Sequence, residues 1–400
     1  MRNVIFVAPF PMAATRRFAA AIAGLDDVRL LGIWQRAPTD SECADQVVVS
    51  DALDPGAIVW AAERLSAQYG PIHRVVGILE DLQEPLAEAR ERLGVPGPSV
   101  RTARAYRDKA VMKDLLRSKG IPVAHHCLAR SMEEAYAFVE HVGLPVVVKP
   151  PAGAGARQTE RVDRLDRLAG ALTPTPTPQR PLLVEEFLRG EEGTMETITI
   201  GGRIRWRSFT RYHPTPLEAM ETPWIQWVVL APKEVSGPDY DEVFGLGAAV
   251  QDALGHIDGM THMEWFKRPD GSKVIGEIAA RPPGAQLFAA TERVHGADLR
   301  RAWARAVVDG AFDGPWPRTT AAAVLFLKGT GSGRVLGVDG LAEAQREVGS
   351  LVVEARLPQA GSPRNTSYEG DGYVIVQHPT TEGVIEAVGV LMRSIRVRYG

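Results

Sequence analysis

Residues 261–279 hold two apolar-rich runs on either side of Pro269-Asp270-Gly271-Ser272. Proline, aspartate and glycine favour a tight reversal, so the sequence predicts a β-hairpin. If Arg268 pairs with Lys273, counting outward places Glu264 opposite Glu277. Directly opposed residues share a face of the sheet, with Cβ atoms about 4.5–5.5 Å apart. Two carboxylates held there repel unless one is protonated or a cation lies between them. A slip of one residue would send them to opposite faces instead, or one glutamate could simply be solvated. Oxygen ligands of this kind suit a hard divalent cation, and Mg²⁺ commonly arrives with substrate phosphates. The hairpin therefore points toward nucleotide chemistry.

A chain of 400 residues exceeds one compact core, so two to four domains are expected. The net charge of −3 and the pI near 6.3 give no electrostatic case for a nucleic-acid or membrane-surface protein. Cys43 and Cys127 are the only cysteines and have no metal-type spacing, which favours a reducing compartment over a disulfide scaffold. The apolar run at 4–8 is too short for a secretion signal, and no run reaches membrane-spanning length. A cytoplasmic protein is expected.

The first hundred residues alternate β-rich runs (4–8, 28–34, 47–49, 75–79) with helical patterns (15–23, 58–68, 85–93). That alternation predicts a parallel, doubly wound sheet. The loop Pro9-Phe10-Pro11-Met12 lacks the glycines of a dinucleotide fingerprint. Glu80 and Asp81 follow the fourth β-run, where open sheets put ligands, though a capping or solvated role is the simpler reading. A second unit starts near Tyr106, with a helix over 106–119 stopped by Gly120 and another over 132–142 stopped by Gly143. A strand at 146–148 ends in Lys149 and opens a small-residue loop containing Gly153 and Gly155 and closing at Arg157. The proline–threonine segment 173–181 must be an exposed loop. Beyond it come a strand (182–186), a hairpin (195–200 with 204–209), a helix (240–254) and the glutamate hairpin. A helix at 299–308, a Pro/Gly joint at 314–317, three β-runs and a helix at 381–395 complete the chain.

Glycine and alanine leave room for backbone N–H groups to approach phosphate oxygens, and Lys149 would add compensating charge. The same loop could equally be structural. Lys109 lies in the first turn of a helix, where a cation opposes the helix dipole. Taken in order, these pieces resemble the ATP-grasp superfamily over roughly residues 106–310: an early Asp-Lys on a helix, Val-Val-Lys before a small-residue loop, an acidic strand leading to Gly-x-Glu, and paired glutamates with Arg281 downstream.

The resemblance implies α/β and α+β multidomain architecture with an ATP-grasp fold. Its units would be a Rossmann-like domain over 1–104, a small subdomain over 105–190, a large subdomain with the metal site over 191–313, and a small α/β lid domain over 318–400. It implies ATP and Mg²⁺ (or Mn²⁺) as cofactors. Lys109 and Lys149 would grip the phosphates, and the loop with Gly153, Gly155 and Arg157 would fold over them. Glu185, Glu186, Phe187 and Leu188 resemble the hinge that reads adenine. Glu192 matches the ribose-binding glutamate, although Glu191 could exchange roles with it. Glu264 and Glu277 match the metal ligands. Arg281, with Lys149, matches the catalytic cations that stabilise an acyl-phosphate and the tetrahedral species after it.

Ala279 departs from the asparagine that many members carry as a further metal ligand. Glu-Ile-Ala-Ala-Arg is similar both to the L-amino-acid ligase branch and to the biotin carboxylase and carboxyaminoimidazole branch. The implied reaction is ATP-dependent amide formation between a small-molecule carboxylate and an amine, with carboxylation through carboxyphosphate or a non-catalytic ATP-binding module as alternatives. No nucleic-acid or membrane partner is expected, and a homodimer is left open. For the substrate, Arg211 could fix a carboxylate and Trp224 could wall a pocket, or both could lie on a solvated edge. His262 shares a face with Glu264 and could touch nucleotide or metal, or be a satisfied sheet histidine.

Overall fold

The computed structural model describes residues 1–153, 155 and 158–400. The N-terminal unit runs β1 (Arg2–Ala8), α1 (Ala13–Ala23), β2 (Val28–Trp34), β3 (Asp45–Val48), α2 (Pro55–Tyr69), β4 (Ile72–Val76) and α3 (Gln83–Leu93). Its strands form a parallel sheet in the order β3-β2-β1-β4. Strand β1 is apolar and buried on both faces, as a central parallel strand requires. Successive crossovers leave β1 in opposite directions, so a crevice opens between the carboxyl ends of β1 and β4. The 3-10 turn Glu80–Leu82 lies just past β4, at that crevice.

The next unit holds α4 (Val100–Arg107), α5 (Lys109–Ser118), β5 (His126–Ala129), α6 (Met132–Val142), β6 (Val146–Lys149), β7 (Glu160–Val162), α7 (Leu165–Ala171) and β8 (Leu182–Glu186). One helix was expected over 106–119; the structure has two, broken at Asp108. The Asp108 carboxylate accepts from the N–H groups of Ala110 and Val111, and this cap makes Lys109 the first residue of α5. Strands order β5-β8-β6-β7, all antiparallel.

An eight-stranded sheet fills the rest of the molecule. Its elements are β9 (Glu191–Ile200), β10 (Arg203–His213), α8 (Pro216–Glu221), β11 (Trp227–Ala231), α9 (Pro238–Leu254), β12 (Gly259–Lys267), β13 (Lys273–Ala279), α10 (Leu287–His295), α11 (Leu299–Asp309) and β14 (Ala321–Leu327). The C-terminal residues add β15 (Val335–Asp339), α12 (Leu341–Val348), β16 (Val352–Arg356), β17 (Gly372–His378), α13 (Thr381–Ser394) and β18 (Arg396–Tyr399). The sheet order is β13-β12-β9-β10-β11-β14-β17-β16, so the C-terminal strands β14, β17 and β16 continue it; β15 and β18 pair separately.

The register of the glutamate hairpin differs from the simplest count. Lys267, not Arg268, pairs with Lys273, so the turn end is slipped by one residue. The ladder then shifts again between Glu264 and Trp265, leaving Gly276 unpaired, and Glu264 faces Glu277 after all. A side chain at Gly276 would bring its Cβ within 2.9 Å of the Phe266 ring, so this bulge needs glycine. Turn and bulge cancel, which is why the expected facing pair survives an incorrect turn.

Candidate active site

A cleft of about 200 Å³ lies between the small sheet and the large one. Glu264 and Glu277 reach it from adjacent strands, and three lysines enter from the other side. Lys109 Nζ sits 3.0 Å from Glu277 Oε1 and donates to the Gly153 carbonyl at 2.9 Å. Its main-chain N–H donates to the Pro151 carbonyl at 2.8 Å, tying the start of α5 to the loop after β6. Lys149, the last residue of β6, forms an ion pair with Glu185 on the neighbouring β8.

Lys113 was not among the residues singled out from sequence. It is one turn beyond Lys109, on the same face of α5, and only 1% of it is exposed. Its Nζ lies 3.4 Å from Glu185 Oε2 and donates to the Gly276 carbonyl at 2.7 Å. The bulged glycine thus gives a buried ammonium a partner that the regular ladder would have consumed.

The charges compensate one another. Burial pushes the Glu185 carboxyl upward, but Lys113 and Lys149 outweigh it and hold it down at about 2. Burial likewise works to raise Glu277, and the charges of Lys109 and Lys149 bring it below its ordinary value. Lys113 is lowered by its own burial and by the Lys149 charge, with Glu185 opposing. Glu192 is buried, lines the cleft and is pushed well up by burial and by the Glu264 carboxylate. Glu191 points outward with its side chain 64% exposed, so Glu192 is the glutamate of this pair that faces the cleft.

Glu186, Phe187 and Leu188 line the same cleft. The Glu186 carboxylate accepts from Arg268 at 2.6 Å and from the His125 N–H at 3.0 Å, so its side chain is engaged in the framework. The main-chain N–H groups of Glu186 and Phe187 donate to the carbonyls of His125 and Pro145. That leaves the Leu188 N–H as the main-chain donor of this stretch without a partner among the described residues. Gly153 and Gly155 line the cleft; Arg157 lies outside the described residues.

Arg281 enters just past β13. Its Nε and Nη2 both meet Glu80 Oε2, at 2.9 and 2.8 Å. Burial opposes its charge, and Glu80 and Glu277 more than offset this, keeping it raised above its ordinary value. Glu80 therefore corrects the expectation of a cap or solvated residue: it is 6% exposed and also faces Arg107 Nη1 at 3.5 Å. Asp81 stays exposed, pairing with Arg107. Glu80's position past a strand end was the available signal; its partner, two hundred residues away, was not visible.

His262 is buried between two carboxylates. Nδ1 is 2.9 Å from Glu196 Oε1, and Nε2 is 3.6 Å from Glu264 Oε1. Burial disfavours its charge, but the bonds to Glu196 and Glu264 win and hold it up at about 9. A cationic His262 fixes one side of Glu264. Glu196 was not anticipated; it faces His262 across β9 and β12.

Two substrate candidates are not brought into the cleft. Arg211 and Tyr212 are neighbours on β10 and point to opposite faces. Tyr212 lines the cleft, whereas Arg211 lies over the Tyr240 ring and 3.7 Å from Glu191. Trp224 is 58% exposed, and the buried Trp227 on β11 lines the cleft in its place.

Among the described residues, no group of three or more His, Cys, Asp and Glu side chains converges as a complete metal cage. Two facing carboxylates with no protein third ligand fit a magnesium ion whose remaining positions come from phosphate oxygens and water. Nearby cations at Lys109 and Lys149 have the charge that a nucleotide's polyphosphate would require.

Comparison with known proteins bears on the fold and the family. Residues 114–288 match the family model of the ATP-grasp domain. The L-arginine-specific L-amino acid ligase of Bacillus subtilis is 27% identical over 263 residues, 64% of this chain and 63% of that protein. The crystal structure of an L-amino acid ligase from Bacillus licheniformis superposes with a TM-score of 0.78 at 19% identity, covering 100% of this chain and 99% of the other. N5-carboxyaminoimidazole ribonucleotide synthetase from Thermotoga maritima gives 0.73 at 19% identity, covering 100% of both chains. The chain carries an ATP-grasp domain and has the ATP-grasp fold. It spans just under two thirds of the Bacillus subtilis ligase.

Proposed function

We propose that this protein is an ATP-dependent carboxylate–amine ligase that joins small molecules, amino acids among them, through an acyl-phosphate and releases ADP and phosphate. One observation carries the reading: Glu264 and Glu277 face each other beside Lys109, Lys149 and Arg281 in a single cleft. Similarity to the arginine-specific and alanine–anticapsin ligases of Bacillus subtilis supports amino acids as the substrate class.

Glu264 and Glu277 would hold magnesium, which supplies charge neutralisation of the polyphosphate. Lys109 and Lys149 would hold its phosphate oxygens as those charges redistribute in phosphoryl transfer. The Leu188 N–H would read the adenine edge, and Glu192 would take the ribose hydroxyls. A substrate carboxylate placed near Arg281 would attack the γ-phosphorus and expel ADP; an amine would then attack the activated carbonyl, lose a proton and expel phosphate. Arg281, aimed by Glu80, stabilises the oxyanion that develops there. Arg281 stands at the crevice of the N-terminal sheet, so the acid and the amine would meet between that sheet and the cleft.

The test is phosphate release across paired carboxylates and amines, with bicarbonate as a separate arm. Release that needs both an acid and an amine supports the ligase. Release with bicarbonate alone would move the reading to carboxylation. No ADP under any pairing, with ATP still bound, would leave a non-catalytic module.

A further inference from the structure

A second cavity, of about 360 Å³, lies between the N-terminal unit and the large sheet, away from the nucleotide cleft. It opens along the free edge of β4, between α3 and the loop that leads into β12. Arg90 on α3 lines it. Arg90 is 8% exposed, and its Nε donates to the Leu86 carbonyl at 3.0 Å. Neither Nη nitrogen has a hydrogen-bond or ion-pair partner among the described residues. Burial alone lowers this guanidinium, to about 10, with no carboxylate acting to restore it.

Buried arginines nearly always meet an acid, because an unpaired buried charge is costly. Here the side chain is also held in place. A Cβ on Gly97 would come within 2.6 Å of Arg90 Cδ and 2.8 Å of its Nη1, so the Pro96-Gly97-Pro98 loop packs directly on the arginine stem and one side of the guanidinium. Arg74 lines the same space and spends only its Nε and Nη1, on the carbonyls of Val307 and His73. Asp258 is the acid in the lining; it is exposed, and its Oδ1 accepts from the Gly201 N–H at 2.7 Å. Leu86, Met260, Trp303 and Val307 supply apolar wall.

We propose that this cavity is a second binding site, for a small carboxylate with an apolar body, in which Arg90 takes the carboxylate and Leu86, Met260 and Trp303 cover the hydrocarbon. A planar fork with both terminal nitrogens free matches a carboxylate bidentately. The volume falls within the range of small-ligand sites, and the few polar groups set among apolar walls are the usual pattern. Ala280 and Pro282 also line the cavity, so a ligand here sits directly behind the segment that carries Arg281.

Hydrocinnamate, titrated calorimetrically into the full chain with Mg-ADP present, tests the proposal without any turnover. Binding is expected, and Arg90→Met and Val307→Phe should each weaken it about tenfold or more. Arg90→Met removes the charge, while Val307→Phe keeps the arginine and narrows the space, so the test survives if one variant does not fold. The ligand-free Arg90→Met protein should melt no lower than wild type, because a buried unpaired charge has gone. Absence of binding with Mg-ADP present, or wild-type affinity in both variants, would each overturn the site. Inorganic phosphate binding as tightly as hydrocinnamate would remove the apolar body from the proposal. A lowered melting temperature in Arg90→Met would make the arginine structural.

Discussion

In the candidate active-site cleft Lys109 faces Glu277, Lys113 and Lys149 face Glu185, and Arg281 faces Glu80; in the cavity beside β4, Arg90 pairs with no acid among the described residues. The first arrangement is compensated before any ligand arrives. On the proposed function, a nucleotide entering it would exchange one set of ion pairs for another, which would let strongly buried cations still take up phosphate. The second arrangement leaves a largely buried charge with no acid partner among the described residues, reachable by water and by a ligand in the cavity. A crowded charge cluster and a solitary one are thus different signals: the first suits the sequence of chemical steps proposed above, the second a single bound ligand.

Four changes would break or sharpen that contrast. Removing the acid that completes the ion site should matter most: Glu277→Gln is expected to lower ADP formation by at least about 10²-fold while nucleotide titration shows a far smaller loss. Retained turnover would detach the two glutamates from catalysis. Glu80→Ala comes next, because it converts the Arg281 site into something like the Arg90 site. It should cost about 3 kcal/mol in a denaturant melt and depress turnover more than ATP affinity. Unchanged stability and activity would mean that Arg281 needs no partner to be held.

Lys149→Ala should weaken ADP binding about tenfold, with Glu185 retaining Lys113 as its partner. An unaltered affinity would count against the phosphate cradle. The smallest effect concerns pH. His262 sits at about 9 when folded, against an ordinary value of 6.5. A group raised on folding contributes stability that is complete below about 6.5 and disappears as pH climbs through about 9. Melting temperatures should fall across that window, and Glu196→Gln should flatten the fall.

Local chemistry made some of the site legible. The facing glutamates were expected from a turn pairing that proved one residue off and were kept in place by the bulge at Gly276, while Lys149 was legible from its place at the end of an apolar strand. Leu188 and Glu192 were reached through motif order rather than geometry. Other parts depend on contacts that no local pattern encodes. Lys113 was visible as a helix neighbour of Lys109, but nothing in the sequence said that β8 would bring Glu185 to it. Glu80 belongs to a different sheet from Arg281, and Glu196 needed the β9–β12 pairing. Arg211 and Trp224 were attractive by residue type. The alternation of β10 turned the first away from the cleft, and the second sits in an exposed stretch beyond α8. The parallel N-terminal sheet was legible from its alternation, whereas the break at Asp108 hid inside a continuous helical pattern.

The unpaired residue at Gly276 has a consequence for how this chain can vary. Sidedness beyond Ile275 in β13 is set by the turn register and by this one unpaired position together. Loss of the single glycine, with the turn left as it is, would rotate everything after it by half a pleat. Glu277 would then turn into the apolar layer that holds Met263 and Ile278, and Lys113 would lose its carbonyl in the same stroke.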